Sequence, residues 1–263
     1  MTPILSVRDL EKSFGRVIAA RDISLDIPVE QTIGIIGASG AGKTTFVNMI
    51  TGHLRPTRGS IAFEGRDITG RAPREVTRLG IARSFQVAQI FPSLTLFENI
   101  CAAVAVARGP DSTLRRALTA LRSPRIVAEA EALLTLFGIA RFRDQRAATL
   151  PQGVRKLLDI GMALAAWPRL LLLDEPTSGI SIEEKYDIMG VVMSALKSRR
   201  IAVLFVEHDM EIVARYSDRV LAFHDGTVIA DGPSDRALAD PQVLSLIAGI
   251  RIAKPAPVGA ANA

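Results

Sequence analysis

The sequence predicts an α/β fold built around a mostly parallel sheet, and three observations support that prediction. An apolar run at residues 33–36 lies directly before a glycine-rich loop and a helical pattern. Two further apolar runs, 170–173 and 202–206, enclose another helical pattern, which is typical of parallel strands buried on both faces. The stretch from about 87 to 166 is mostly helical. We therefore expect a parallel-stranded core that is interrupted by an inserted helical subdomain.

The N-terminal part of the chain predicts a second, antiparallel β layer. Residues 4–36 have the pattern of short strands separated by polar turns, and residues 59–68 alternate apolar and polar side chains around a glycine turn. We expect that hairpin to join the N-terminal strands. After the glycine-rich loop, Phe46, Met49 and Ile50 recur at helical spacing, and Gly52 is placed to end the helix.

The later segments carry helical and turn signals of their own. One apolar face of the helical subdomain is formed by Ala130, Leu133, Leu134 and Phe137. Residues 105–146 hold eight Arg and no Lys against four acids, and we interpret them as a solvated face. Ser181 and Glu184 form a capping box before a helix whose apolar positions are Ile182, Tyr186, Met189, Met193 and Leu196. A final hairpin turns at Asp225-Gly226, and residues 251–263 are predicted to be a disordered tail.

Composition excludes several classes of protein. The longest apolar runs reach only eight residues, so no membrane span is expected. The first residues lack the pattern of a secretory signal, and a single cysteine, Cys101, cannot form an internal disulfide, so we expect a cytoplasmic protein. The net charge of +5 is too diffuse to indicate a nucleic-acid partner, and none is expected.

Residues 37–44 read Gly-Ala-Ser-Gly-Ala-Gly-Lys-Thr, which matches a phosphate loop in its required place between a strand and a helix. The glycines let backbone N–H groups face an anion, while Lys43 meets the β- and γ-phosphates and the Thr44 hydroxyl binds Mg²⁺. The nucleotide-binding positions are Gly37, Ser39, Gly40, Ala41, Gly42, Lys43, Thr44 and Thr45. We therefore predict a P-loop NTPase core that binds ATP and Mg²⁺; an accidental glycine-rich turn is the alternative.

The two later strands deliver further candidate groups to the same edge of the sheet. Asp174 follows the apolar run 170–173 and is the expected metal partner, and Glu175 is placed to polarise the attacking water as a general base. His208 follows the next strand, where we expect it to contact the γ-phosphate or hold the water. A structural histidine is the alternative at that position.

These motifs occur in the order and at the spacing of ABC-type ATPases, which the chain resembles over about residues 4–250. The match includes Gln86 in Ser84-Phe85-Gln86 and the run Glu207-His208-Asp209. The resemblance implies an ABC-type ATPase domain over residues 1–250 that hydrolyses ATP for transmembrane transport and dimerises head to tail around two ATP molecules. It also implies that Gln86 is a catalytic and metal-binding residue that links Mg²⁺ and water to a transmembrane partner.

Two more features follow from the resemblance. Phe14 occupies the place of an aromatic that stacks on adenine, with a core aromatic as the alternative. Residues 90–99 are similar to the surface on which the membrane subunit docks.

Within the family, the insertion at 108–124, the run from Glu207 to Met210 and the ending at 241–244 are most similar to ATPases of branched-chain (hydrophobic) amino-acid importers. The cargo would be such amino acids or related small carboxylates. The implied partners are a second ATPase subunit, identical or different, transmembrane permease subunits and, indirectly, a periplasmic solute-binding protein. The implied location is the inner face of the cell membrane, as a peripheral subunit. ATPases of lipopolysaccharide-type exporters are also similar.

Two departures from the family pattern leave a second hypothesis open. The family signature Leu-Ser-Gly-Gly-Gln aligns with Leu150-Pro151-Gln152-Gly153-Val154, and Pro151 has neither hydroxyl nor N–H. Gln152 and Gly153 remain as candidate nucleotide contacts. Ser181 stands where the family has an aspartate. The alternative is a nucleotide-dependent dimerising clamp or regulator with weak hydrolysis, although a clamp needs neither Glu175 nor His208.

Overall fold

The structure is a computed structural model, and it describes residues 3–84, 88–108, 123–247 and 249. A four-stranded antiparallel sheet has the strand order β2-β1-β4-β5. Its strands are β1 (Leu5–Phe14), β2 (Val17–Ile27), β4 (Arg58–Phe63) and β5 (Arg66–Asp67). The predicted hairpin around Gly65 joins this sheet through β4, which pairs with β1.

A six-stranded sheet forms the centre of the molecule, in the order β10-β9-β3-β8-β7-β6. Its strands are β3 (Thr32–Gly37), β6 (Ile81–Arg83), β7 (Leu170–Asp174), β8 (Ala202–Val206), β9 (Arg219–His224) and β10 (Thr227–Pro233). Neighbouring strands from β6 to β9 are parallel, and β10 returns antiparallel after the predicted turn at Asp225-Gly226. The prediction of a mostly parallel sheet is confirmed.

Helices surround this sheet. They are α1 (Lys43–Ile50), α2 (Pro73–Leu79), α3 (Leu96–Arg108), α4 (Pro124–Leu136), α5 (Gln152–Leu164), α6 (Ile182–Ser198), α7 (Met210–Tyr216), α8 (Ser234–Leu238) and α9 (Pro241–Leu246). Ser181 caps α6 by accepting a hydrogen bond from the Glu184 N–H, as predicted, and Asp209 caps α7 in the same way. No helix in the described ranges has the length and hydropathy needed to cross a bilayer.

The central sheet separates two apolar cores, which explains the continuous apolar runs of the sequence. In β7, Leu171 and Leu173 lie in the core beneath α3, α5 and α6, whereas Leu170 and Leu172 lie in the core shared with α1 and the antiparallel sheet. Because successive side chains point to opposite faces, a strand covered on both sides needs an apolar residue at every position.

The helical segment between β6 and β7 contains α3, α4 and α5. The predicted face of Ala130, Leu133, Leu134 and Phe137 is buried, and Gly138 has a left-handed backbone (φ +66°) just after α4. Ile182 is 71% exposed, so the buried face of α6 begins a turn later than the sequence pattern does. The bounds 87–166 remain a prediction, and most of the Arg-bearing insertion and the tail from 251 lie outside the described residues.

Candidate functional site

The C-terminal ends of three strands meet at one edge of the central sheet. Val206 of β8 is in register with Ile35 of β3 on one side and with Asp174 of β7 on the other. The loops that follow are joined by backbone hydrogen bonds, because Glu175 N–H donates to the Val206 carbonyl (3.0 Å) and Glu207 N–H donates to the Ile35 carbonyl (3.2 Å). The phosphate loop, the two acids and the His208 loop therefore lie together, as the sequence predicts.

The phosphate loop requires glycine at two close backbone approaches. A Cβ at Gly37 would lie 2.4 Å from the Phe223 carbonyl oxygen, and one at Gly42 would lie 2.6 Å from the Ala19 carbonyl oxygen. Gly42 also has a left-handed backbone (φ +101°) at the start of α1, and no side chain caps this helix end in the described chain. The first N–H groups of α1 are thus left without a side-chain cap, and such groups at a helix N-terminus suit an anion.

Lys43 is buried beneath this loop. Its Nζ donates to the carbonyl oxygens of Gly37 (2.6 Å) and Ala38 (2.9 Å). Burial lowers the pKa of Lys43, and the nearby Glu175 and Asp174 carboxylates act in the opposite direction. Thr44, the next residue, is exposed, so its hydroxyl is accessible to a ligand.

The two consecutive acids at the end of β7 have different partners. Asp174 Oδ2 accepts a hydrogen bond from Arg83 Nη2 at 2.5 Å, whereas Glu175 Oε1 lies 3.0 Å from His208 Nε2. Glu175 has a left-handed backbone (φ +46°), which is uncommon for a residue other than glycine. The strand β7 ends at the preceding residue, Asp174.

Glu207 is a buried acid for which the sequence had suggested no role. Its Oε1 accepts hydrogen bonds from the backbone N–H (2.9 Å) and the hydroxyl (2.7 Å) of Thr177. Burial raises the pKa of Glu207, although the hydrogen bonds from Thr177 and from the His208 N–H act to lower it. Glu207 thus connects the loop that carries Glu175 to the loop that carries His208. Its signal in the sequence is an acid directly after a wholly apolar strand.

Phe14 lies at the end of β1 with 51% of its surface exposed, and the Lys12 ammonium is 5.0 Å from the centre of its ring. The alternative that Phe14 is a core aromatic is therefore wrong. Its stacking on adenine remains a prediction.

The signature segment lies on a different element. Pro151 is the N-cap of α5, and Pro151 and Gln152 are exposed, whereas Gly153 is buried so closely that a Cβ would lie 2.4 Å from Ile188 Cδ1. The end of the Ile188 side chain thus packs directly against the Gly153 backbone, where α5 meets α6. Gln86 lies outside the described residues, so its catalytic and metal-binding roles remain predictions.

Two buried charges connect α5 to the sheet edge and to the segment after Gln86. Asp159 Oδ1 accepts a hydrogen bond from the Gln89 N–H at 2.9 Å. Burial lowers the pKa of Lys156, which Asp159 and Glu207 act to raise. The Asp159 contact therefore joins α5, the helix that presents the signature, to the segment after Gln86.

The predicted docking segment at 90–99 is divided between surface and core. Phe91 is 52% exposed, but Leu96 and Asn99 are fully buried. The Asn99 side chain holds Phe91 in place, because its Oδ1 accepts from the Phe91 N–H (2.8 Å) and its Nδ2 donates to the Phe91 carbonyl (3.1 Å). The sequence pattern did not distinguish the exposed positions from those that support them.

The donor set at this edge fits a nucleotide with Mg²⁺. The Thr44 hydroxyl and the Asp174 carboxylate are hard oxygen donors of the kind that Mg²⁺ prefers, and the loop N–H groups suit phosphate oxygens. Within the described ranges, no group of three or more His, Cys, Asp or Glu side chains is placed to hold a metal.

Comparison with known proteins identifies the family. Residues 20–178 match the family described as ABC transporter. The chain belongs to that family. Its relatives include the high-affinity branched-chain amino acid transport ATP-binding protein BraF of Pseudomonas aeruginosa, which is 32% identical over 252 residues, with 94% of this chain and 98% of the relative covered. The probable branched-chain amino acid transport ATP-binding protein LivG of Methanocaldococcus jannaschii is 31% identical over 251 residues, covering 94% and 97%.

Solved structures of ABC cassettes have the same fold. A nucleotide-free ATP-binding cassette from an ABC transporter superposes with a TM-score of 0.81 at 30% identity, covering 92% of this chain and 98% of that one. The ADP conformation of an ATP-binding cassette gives a TM-score of 0.83 at 30% identity, covering 95% and 100%. The ABC cassette described here is a nucleotide-binding ATPase of this family, so the predicted fold, family and ATPase activity are confirmed. The roles of individual site residues and the domain bounds remain predictions.

Proposed function

We propose that this ABC cassette uses Mg²⁺ and ATP to drive the uptake of branched-chain or other hydrophobic amino acids, or of related small carboxylates. The observation that carries the enzymatic part is the Glu175–His208 pair, 3.0 Å apart, beside the phosphate loop. The likeness to BraF and LivG supports the class of cargo. The protein would act as a peripheral subunit on the cytoplasmic face of the cell membrane.

The proposed partners are transmembrane permease subunits and a second ATPase subunit, with a periplasmic solute-binding protein acting on the permease. The exposed Phe91 ring supports a docking surface, since exposed apolar side chains on an anchored backbone are a feature of many interfaces. The exposed Pro151 and Gln152 at the start of α5 are consistent with a second ATPase subunit, because the family resemblance assigns this segment to the nucleotide of the partner.

Nucleotide binding follows from the geometry of the loop. The backbone N–H groups of residues 37–45 would surround the phosphates, and Lys43 would exchange its bonds to the Gly37 and Ala38 carbonyls for bonds to phosphate oxygens. Thr44 and Asp174 would hold the metal, together with Gln86. When bound, Mg²⁺ neutralises phosphate charge and aligns the γ-phosphoryl group for in-line attack. Phe14 would stack on the adenine.

Hydrolysis would use Glu175 as the general base. His208 Nε2 donates to Glu175 Oε1 and holds the carboxylate in place, while Oε2 accepts a proton from the attacking water. As that water forms its bond to the γ-phosphorus, the bond to the β–γ bridging oxygen breaks and ADP leaves with the electron pair. The proton on Glu175 then passes to a phosphate oxygen.

Pro151 is the specific observation that favours a second candidate, a clamp that dimerises on nucleotide but hydrolyses poorly. In a head-to-tail dimer Pro151 would face the nucleotide bound to the phosphate loop of the other subunit. It would therefore weaken that site and leave intact the site at this chain's own phosphate loop. Gly153 N–H, Gln152 and the dipole of α5 remain to contact that nucleotide. A heterodimer whose partner has a complete signature would then hydrolyse ATP mainly at the site built from Lys43, Asp174 and Glu175.

One experiment tests both parts. The purified chain is assayed for Mg²⁺-dependent phosphate release, and a strain that lacks its gene is assayed for uptake of radiolabelled leucine, isoleucine and valine, with lysine as the control cargo. We expect turnover in vitro and selective loss of branched-chain uptake. Unchanged uptake in the deletion strain would make the proposed cargo wrong. ATP-dependent dimerisation with no turnover, alone or with its partners, would support the clamp instead.

A further inference from the structure

A guanidinium lies between the two elements that carry the proposed metal ligands. Arg83, the last residue of β6, donates from Nη2 to Asp174 Oδ2 (2.5 Å) and from Nη1 to Asn48 Oδ1 of α1 (2.6 Å). The Arg83 and Asp174 side chains are only 9% and 15% exposed. Sheltered, charge-assisted bonds of this length are strong and directional, so the three side chains form one rigid unit.

Asn48 is four residues after Thr44 in α1, so the two side chains lie on the same face of the helix. The bond from Arg83 therefore holds the helix face that presents the Thr44 hydroxyl. Backbone pairing sets the spacing of β3 and β7 on either side of β8, the strand between them. Arg83 adds a direct side-chain link between α1, which follows β3, and Asp174 at the end of β7.

We propose that Arg83 is a positioning residue that sets the separation and orientation of Thr44 and Asp174 for the divalent cation of the bound nucleotide. The proposal rests on the metal ligands assigned under the proposed function. The planar fork of arginine fixes two acceptors at once, which a lysine ammonium does not do. By occupying Oδ2, Arg83 leaves Asp174 Oδ1 to the metal, and supporting contacts of this kind typically change metal affinity by about 10–100-fold.

Charge alone predicts the opposite effect. A guanidinium beside Mg²⁺ repels it, so if Arg83 acted only through its charge, its removal would tighten Mg²⁺ binding. Positioning predicts that removal weakens Mg²⁺ binding. The sign of the change therefore separates the two explanations.

The test is equilibrium binding of ADP to the full chain, titrated with Mg²⁺ and repeated in EDTA, with Mn²⁺ and electron paramagnetic resonance as a second readout of the bound cation. Three variants divide the contact. Arg83→Met removes the hydrogen bonds to both Asn48 and Asp174. Asn48→Leu removes only the bond to residue 48 and keeps the ion pair with Asp174. Arg83→Lys keeps the positive charge but not the planar guanidinium that contacts both acceptors. Arg66→Met, at an exposed arginine of β5, is the matched control.

We expect Arg83→Met to weaken Mg²⁺ binding to the ADP complex by about 10–100-fold. Asn48→Leu and Arg83→Lys should cause smaller losses of the same sign, and ADP affinity in EDTA should stay within about twofold of the unmodified protein. Tighter or unchanged Mg²⁺ binding in Arg83→Met, or full Mg²⁺ affinity in Arg83→Lys, would overturn the proposal. If Arg83→Met does not fold, Asn48→Leu decides, because it leaves the buried ion pair intact.

Thr44→Ala and Asp174→Asn separate this proposal from the one on which it rests. If both abolish the Mg²⁺ dependence while Arg83→Met and Asn48→Leu leave it unchanged, the metal ligands are correct and the positioning role is wrong. If Thr44→Ala and Asp174→Asn also leave it unchanged, the ligand assignment fails and the role of Arg83 fails with it.

Discussion

The edge of the central sheet and the signature segment differ in whether their functional side chains have partners within the chain. At the sheet edge, three of the predicted side chains have partners in the same chain: Lys43 bonds to loop carbonyls, Asp174 pairs with Arg83, and Glu175 pairs with His208. In the signature segment, Pro151 and Gln152 face solvent at the start of α5. The contacts of the sheet edge can therefore be read within this chain, whereas the proposed contact of the signature segment needs a second molecule.

The largest expected effect is a loss of ATP turnover on substitution of Glu175 at the sheet edge. Glu175→Gln should lower turnover by about 10²-fold or more, the scale of general-base catalysis, because the amide does not accept the proton from water. Nucleotide binding should persist, since the variant keeps the size of the side chain and an acceptor for His208. Steady-state turnover and sedimentation with ATP provide the measurement. Glu183→Gln, on the exposed first turn of α6, is the control, and near-normal turnover in Glu175→Gln would remove Glu175 from the mechanism.

A second expected effect concerns the surface that we propose as the docking site for the membrane subunit. Phe91→Asp should prevent co-purification with the membrane subunit, because anchors at interfaces commonly contribute about 2 kcal/mol or more. The isolated variant should remain folded and bind ATP, since the Phe91 ring is 52% exposed. Val29→Asp, at an exposed apolar position before β3, is the control. Intact co-purification, or loss of the fold, would show that residue 91 serves packing only.

Restoring the serine of the family signature is expected to raise ATP turnover. If the protein is a homodimer, Pro151→Ser should raise turnover by less than about 10²-fold, because it restores one donor to a site that retains Gly153 N–H and the α5 dipole. In a heterodimer with a complete partner signature, Glu175→Gln here should remove nearly all turnover, and the equivalent change in the partner should remove much less. Equal losses from the two changes, or no gain from Pro151→Ser, would show that the missing hydroxyl is dispensable.

The smallest effect concerns the pH dependence of stability. Because burial raises the pKa of Glu207, the folded chain holds this proton more tightly than the unfolded chain. Ionisation of Glu207 therefore lowers the free energy of unfolding as pH rises from the ordinary value of 4.5 through the raised folded pKa. Glu207→Gln does not ionise, so its stability relative to the unmodified protein should increase over that window. Urea unfolding at several pH values measures this, and a difference that is constant with pH would contradict it.

The sequence predicted the residues whose signals are local. Gly37, Gly42 and Lys43 belong to one contiguous loop, and Asp174 and Glu175 directly follow an apolar strand. The contact of Arg83 with Asp174 and Asn48 has no such signal, because the three residues come from β6, β7 and α1. They are brought together only when β6 pairs with β7, and no periodicity in the chain encodes strand order.

Burial in the segment at 90–99 was equally hard to predict. Phe91, Leu94 and Leu96 are all apolar and close in sequence, yet Phe91 is exposed and Leu96 is fully buried. The difference arises because Leu96 begins α3, which packs against α4 and α5, whereas Phe91 lies in a loop held by the Asn99 side chain. Only the packed structure distinguishes the exposed Phe91 from the buried Leu96.

The central position of β3 has a consequence for how the protein is made. This strand, which leads into the phosphate loop, pairs with β8 and β9, and both come from the last quarter of the chain. During synthesis, the loop is complete as sequence long before its flanking strands leave the ribosome. Such non-local pairing slows folding. Until β8 and β9 have been synthesised, the unpaired apolar edges of β3 are exposed to misassembly. Nascent chains that stop before β8 should therefore need a chaperone, whatever the stability of the finished molecule.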